Sequence, residues 1–170
     1  MTDLTKSSTS ELQVRAATVD DASTILQFIT ELAIFEKAEH EVLTSVAMIK
    51  QTLFSSDAKA HALICEREGA AIGFAVYFYN YSTWLGKYGL YLEDLYITPD
   101  ARRSGAGKVM FKALAKIAAD NDCGRFEWSV LDWNTPAIAL YQALNAQAKT
   151  EWVGYRLTEQ QISALANQTG

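Results

Sequence analysis

Apolar and polar positions change period several times along the chain, and each change marks an element. Leu12, Val14 and Ala16 alternate with Gln13 and Arg15, as in a half-buried strand. Thr18 and Asp21 form a capping-box-like start, with Asp in place of the usual Glu or Gln. Behind them Ala22, Ile25, Leu26, Ile29, Leu32 and Ala33 predict a helix with one buried stripe, as far as about Phe35. A shorter helical pattern covers about Thr44 to Phe54. From His61 the period falls to two: HALICERE, a turn at Gly69 and AIGFAVYFYNY predict a β-hairpin. GLYLEDLYI, from Gly89 to Ile97, is β-branched and aromatic apart from two adjacent carboxylates, and reads as a central strand closed by Pro99-Asp100.

Downstream, Val109, Met110, Ala113, Leu114, Ile117 and Ala118 share one helical face, with Lys108, Lys112 and Lys116 along the other. Gly124 restarts a strand, RFEWSVL, and Asn134 precedes a helix whose Pro136 occupies the first turn, where a missing N–H is tolerated. A last strand pair is expected between Gln147 and Leu157, with room for a closing helix. Residues 1–10, six of them Ser or Thr, carry no periodic pattern and are expected to form a loose tail. The order predicts one mixed α/β domain over residues 11–170, a sheet flanked by helices and free of internal repeats.

Composition narrows the partners. A chain of 170 residues, 49% hydrophobic and 21% charged, buries roughly 70% of its unfolded surface and builds a core unaided. No stretch approaches the ~20 apolar residues needed to cross a bilayer, and no leader-like segment opens the chain, so a cytoplasmic location without membrane contact is expected. Cys65 and Cys123 lie far apart and the histidines are His40 and His61, which gives neither a disulfide framework nor a zinc-ligand spacing; no metal is expected. A net charge of −5 and a pI near 5.0, with no basic cluster, disfavour nucleic acid and favour cationic partners.

The strongest local signal is RRSGAGK, from Arg102 to Lys108, between a strand ending near Ile97 and a helix beginning near Ser104. Small residues there expose backbone N–H groups, and at a helix N-terminus such donors bind phosphate oxygens. A Walker loop would need glycine at Arg102 and Ser or Thr at Val109; a dinucleotide fingerprint would need glycine at Met110. What remains is Arg-x-x-Gly-x-Gly after a central strand, or simply a glycine-containing surface turn. Glu93 and Asp94 interrupt an apolar strand, and strand alternation sends one carboxylate to each face. A buried carboxylate calls for a cation, a hydrogen-bond network or a catalytic task, unless the strand ends at Leu92 and both acids are solvated. Tyr141 shares a helical face with Ala137, Leu140 and Leu144, as a core aromatic would, and Asn134 suits an N-cap without any ligand.

Taken in order, RAATVDDASTIL, ELAIFEK at Glu31 to Lys37, YSTWLGK at Tyr81 to Lys87, LYLEDLYI, the Arg-x-x-Gly-x-Gly turn and VLDWNTPAIALY resemble the GCN5-related N-acetyltransferase (GNAT) superfamily, in particular its diamine and thialysine N-acetyltransferase branch. The resemblance implies the GNAT acyl-CoA N-acyltransferase fold, a central mostly antiparallel sheet flanked by helices, and acetyl-CoA as cosubstrate. It implies that the backbone of Leu95, Tyr96 and Ile97 bonds the pantetheine arm. Arg103, Ser104, Gly105, Ala106, Gly107 and Lys108 would hold the pyrophosphate, with Arg102 adding positive charge. Asn134, Pro136 and Ala137 would border the cofactor. Phe35, Glu36, Glu93 and Asp94 match positions around the amine, with Glu127, Trp128 and Ser129 on the next strand.

In the implied chemistry Glu93, directly or through water, takes the ammonium proton of a small cationic amine. The N–H near Leu95 stabilises the oxyanion, and Tyr141 protonates the departing thiolate. Asn145 stands where the family commonly has Gly, and Asn also tolerates a left-handed cap. Ser82 and Val153 stand where the polyamine branch carries acids, so spermine-length acceptors are not expected. Other members of the family acetylate antibiotics or protein N-termini, and a CoA-binding sensor needs neither Glu93 nor Tyr141. The resemblance also implies a homodimer, for which the aromatic C-terminal segment offers a surface.

Overall fold

The computed structural model describes residues 11–168; the expected tail at residues 1–10 lies outside the described residues. The chain divides into two compact units, Met1–Ser129 and Val130–Gly170. The first contains β1 (Leu12–Ala16), α1 (Ala22–Phe35), α2 (Val46–Phe54), β2 (Ala60–Arg67), β3 (Ala70–Ser82), β4 (Lys87–Ile97), α3 (Ala106–Asp120) and β5 (Arg125–Trp128). The second contains α4 (Thr135–Ala143) and α5 (Glu159–Ala166).

The five strands pair in sequence order, antiparallel from β1 to β4 and parallel between β4 and β5. The hairpin expected at Gly69 forms because Glu68 and Gly69 both take positive φ, 54° and 78°, which matches the twist of the flanking strands. The period-3.6 stripe of α1 delivers Ala22, Ile25 and Phe28 to a core shared with Ile49 of α2 and with Ala62, Ile64, Phe74 and Tyr96 of the sheet. Full burial of a residue such as Ile25 or Phe28 contributes about 1.5–3 kcal/mol. On the opposite sheet face α3 buries Ala106, Met110, Phe111, Leu114 and Ala118, and the Phe111 ring lies 5.7 Å from Phe126 and 4.9 Å from Trp128.

The entry to α1 is fixed by charge. Asp21 accepts both terminal nitrogens of Arg15 at 2.7 and 2.8 Å and the Thr18 backbone N–H at 2.7 Å. The Arg15 hydrogen bonds hold its carboxyl well below the usual range, at about 2. Arg15 also reaches Glu66 at 2.8 Å and so ties β1 to β2.

Two sequence expectations about strands are corrected. No strand lies between Gln147 and Leu157; Trp152, Val153 and Tyr155 are exposed, and a closing helix, α5, follows instead. An apolar segment becomes a strand only where another edge receives its backbone groups, and no described strand pairs with this one. RFEWSVL is a strand only as far as Trp128, because its partner β4 bulges at the next residue. Likewise α3 begins at Ala106 rather than near Ser104, since Arg103 (φ 64°) and Gly105 (φ 91°) are left-handed and break the helical path. Among the described residues no helix is long and apolar enough to cross a membrane.

Candidate active site

The site forms around an irregularity in β4. Val76 of β3 pairs with Asp94, but its neighbour Tyr77 pairs with Leu92, so Glu93 is an extra residue with no partner on β3. Cross-strand partners share a face, and Val76 and Tyr77 point to opposite faces. Leu92 and Asp94 therefore face opposite ways although they are two residues apart. Simple alternation across Glu93 and Asp94 does not hold. Val76 packs on the core beneath α1, which places Asp94 on that face as well.

The two acids differ in environment. Glu93 is exposed, contrary to the expectation of a costly buried carboxylate, while the strand continues through it to Ile97. Asp94 is half-buried, and burial, then the charges of Glu93 and Glu36, push its carboxyl up to about 6. Burial also raises the Glu36 carboxyl, at the C-terminal end of α1. Three carboxylates thus converge from two elements that the sequence separates by more than fifty positions.

Beyond Leu92 the outer edge of β4 has no strand neighbour among the described residues, because β5 pairs with Gly89, Leu90, Tyr91 and Leu92 alone. Thr98 N–H donates to Ile72 O on β3 at 2.9 Å. Backbone groups alternate sides along a strand, so Leu95 and Ile97 direct their N–H and C=O outward, and Tyr96 faces β3. The Ile97 carbonyl accepts Arg102 Nε at 3.0 Å. Leu95 is not engaged in this way.

Past the strand, the turn from Arg102 to Gly105 is exposed, and Ser104 Oγ donates to Ala101 O at 2.6 Å. The N-cap of α3, Gly105, makes no side-chain hydrogen bond, and nothing lies within 4 Å of the position a Cβ would take there. The first-turn N–H groups of Ala106, Gly107 and Lys108 are left for an external acceptor, beside Arg103 and Lys108. That donor set suits an anion carrying several phosphate oxygens.

Arg102 does not point its charge at this turn. Its guanidinium lies 5.0 Å from the centre of the Phe35 ring and 5.6 Å from that of Tyr96. Such a stack at an exposed site is worth about 0.5–1 kcal/mol. The Tyr96 hydroxyl donates to Glu31 Oε2 at 2.9 Å, and Gln27 donates to Glu31 Oε1 at 2.8 Å. Burial and donation to Glu31 push the Tyr96 hydroxyl up to about 12. Glu31, Phe35, Tyr96 and Arg102, with Asp100 at the edge of the turn, are among the residues that line an open cleft of about 500 Å3. The side chains of Glu31 and Tyr96 are the components that sequence reasoning missed; the i, i+4 spacing of Glu31 and Phe35 on α1 was the available signal.

The three residues expected on the next strand each make contacts of their own. Glu127 is paired with Arg125 at 2.8 Å and accepts from Asn80 at 3.1 Å. Trp128, opposite Leu92, packs edge-on against Phe111 on the α3 face, the other side of the sheet from Asp94. Ser129 Oγ lies 2.9 Å from the Tyr91 hydroxyl.

In the second unit Asn134 caps α4, its side chain accepting from Ala137 N at 3.4 Å, and Pro136 sits in the first turn as expected. Ala137, Leu140, Tyr141 and Leu144 form its half-buried face. Burial raises the Tyr141 hydroxyl above its ordinary value of 10. Asn145 adopts φ 59°, the left-handed conformation its identity allows.

An antiparallel sheet that ends in one parallel strand, with an open β4 edge beside a glycine-rich helix N-terminus, is the architecture that the sequence resemblance implied. The chain belongs to the acetyltransferase (GNAT) family, which it matches over residues 26–146. Members of that family use acetyl-CoA, and this chain is an acetyl-CoA-dependent amine N-acetyltransferase. It is 34% identical to the thialysine N-epsilon-acetyltransferase of Mus musculus, over 92% of this chain and 98% of the relative. Among solved structures it is similar to a V. cholerae integron cassette protein, with TM-score 0.76 and 21% identity over 92% of this chain and 98% of the other. An aminoglycoside N-acetyltransferase solved in complex with CoA superposes with TM-score 0.68 at 19% identity, over 87% and 95% of the two chains.

Proposed function

We propose that the acceptor is a small cationic amine, a thialysine-like amino acid or a diamine, and that Glu36, Glu93 and Asp94 bind its ammonium group. The observation that carries this reading is the meeting of three carboxylates at the β4 bulge, beside the unpaired edge of the same strand. Acetyl-CoA supplies the acetyl thioester. Arg103 to Lys108 are suited to its pyrophosphate through the first-turn N–H groups of α3, and the outward backbone groups of Leu95 and Ile97 to its amide arm.

A primary ammonium must lose a proton before its nitrogen attacks. Glu93, directly or through water, accepts that proton, beside Asp94, whose carboxyl is raised to about 6 by burial and by the neighbouring charges of Glu93 and Glu36. The outward N–H of Leu95 is a donor for negative charge developing on the carbonyl oxygen. The nitrogen bonds to the thioester carbon; as the C–S bond breaks, Tyr141, which keeps its proton at neutral pH, gives it to the departing sulfur and is restored by the second proton the nitrogen loses.

The test is release of free CoA thiol from acetyl-CoA across thialysine, lysine, putrescine, spermidine, spermine and amine-free controls. A clear rate on thialysine or a short diamine is expected. Silence across the panel, with acetyl-CoA binding confirmed by calorimetry, would overturn the acceptor class and leave the family intact.

A further inference from the structure

The cleft at the C-terminal end of α1 already holds a cation, and the cation belongs to the chain itself. Two aromatic faces, Phe35 and Tyr96, carry the Arg102 guanidinium, and Glu31 stands behind Tyr96 with both carboxylate oxygens oriented by hydrogen bonds. A carboxylate pinned beside two ring faces recognises a cation by charge and by the ring quadrupole, without requiring a guanidinium in particular. Arg102 is an exposed residue held by the two ring faces, by its hydrogen bond to Ile97 O and by an interaction with the Tyr96 hydroxyl, contacts that another cation in the cleft would replace.

The position of the cleft gives it a meaning for the acceptor. Phe35 directly precedes Glu36 on α1, and Tyr96 lies two residues beyond Asp94 on β4, on the same sheet face. Two residues of strand span roughly 7 Å. An extended diamine of about four to six carbons, with bonds of about 1.5 Å, covers that distance between its nitrogens.

We infer that the Glu31–Phe35–Tyr96 cleft is a second cation subsite, occupied by Arg102 in the free enzyme and taken over by the far ammonium of a diamine-type acceptor. The inference rests on the acceptor class proposed above. It makes Glu31 a specificity residue and gives Arg102 the role of an internal competitor, released toward the glycine-rich turn when the substrate arrives.

Calorimetric titration of the full chain without acetyl-CoA tests this, using 1,4-diaminobutane and butylamine, which share a chain length and differ in the second charge. The diamine is expected to bind about tenfold more tightly than the monoamine. Glu31→Gln, which keeps an acceptor for the Tyr96 hydroxyl, should abolish that advantage, and Phe35→Leu, which removes one aromatic face, should reduce it. Arg102→Met should strengthen diamine binding severalfold, an effect no merely structural role of Arg102 produces. Equal affinity for the two amines in the wild type, an advantage that survives Glu31→Gln, or weaker diamine binding in Arg102→Met would each overturn the subsite. Turnover separates the two readings. A diamine that binds in the expected pattern while the whole amine panel, thialysine included, stays unacetylated refutes the proposed acceptor class alone. One acetylated no better and bound no tighter than butylamine refutes the subsite alone.

Discussion

Asp94 sets the balance between stability and binding at the site. Its carboxyl rises from an ordinary 3.8 to about 6 on folding, so between these values the folded state holds more protons than the unfolded one. Stability therefore falls as pH rises through that window and stays lower above it, by on the order of 2–3 kcal/mol. Thermal melts of Asp94→Asn should show a higher midpoint than wild type at pH 7.5, with the difference closing below pH 4. The same variant should raise the acceptor KM about tenfold or more, because the charge that burdens the fold is the one that holds an ammonium. Tyr141 offers a test of a different kind: Tyr141→Phe should lower kcat by roughly 100-fold or more while acetyl-CoA affinity holds, as measured by steady-state kinetics and calorimetry. At this scale residue type was legible in the sequence and environment was not. Two adjacent acids in GLYLEDLYI announced themselves, but which is buried depends on a bulge whose partner lies on another strand. Arg102 announced a charge, and only the placement of Phe35 and Tyr96 shows where that charge rests.

The bulge makes β4 more than a strand that carries acids. Glu93 is the inserted residue, and without it Leu92 and Asp94 would be consecutive, already on opposite faces, and already paired with Tyr77 and Val76. Deletion of Glu93 is thus expected to leave a regular ladder and a folded protein with a melting temperature near that of wild type. Turnover should be lost, since the carboxylate geometry and the end of β5 pairing both depend on the insertion. Circular dichroism melts and thiol-release assays on the deletion variant decide this. Helices α1 to α4 and the hairpin turning at Gly69 were readable, apart from the start of α3, because local periodicity, capping and turn chemistry specify them. The length of β5 and the missing C-terminal strands were not readable. Both depend on whether a partner edge is available, and no short window of sequence contains that information.

For the whole molecule, the excess of acid recorded in the net charge of −5 is brought to a focus where Glu36, Glu93 and Asp94 meet. Attraction of a cationic acceptor to that focus should weaken as salt shortens the screening length from ~10 Å at 0.1 M to ~3 Å at 1 M. The acceptor KM is expected to rise severalfold across that range with kcat little changed; a flat salt profile in initial-rate assays would contradict an electrostatic capture step. A sheet built this way also has a hazard. Unclaimed donors and acceptors at a strand edge are a template on which any passing polypeptide adds itself, the route by which β proteins aggregate. Arg102, bonded to the Ile97 carbonyl, sets a positive charge on that edge as a sentry, one of the devices that blunt such addition. If the proposed cofactor arm uses this edge, the rung that serves a small molecule is also one the protein must guard against its own kind, which limits how far the edge can be made more welcoming to a ligand before the protein begins to stick to itself.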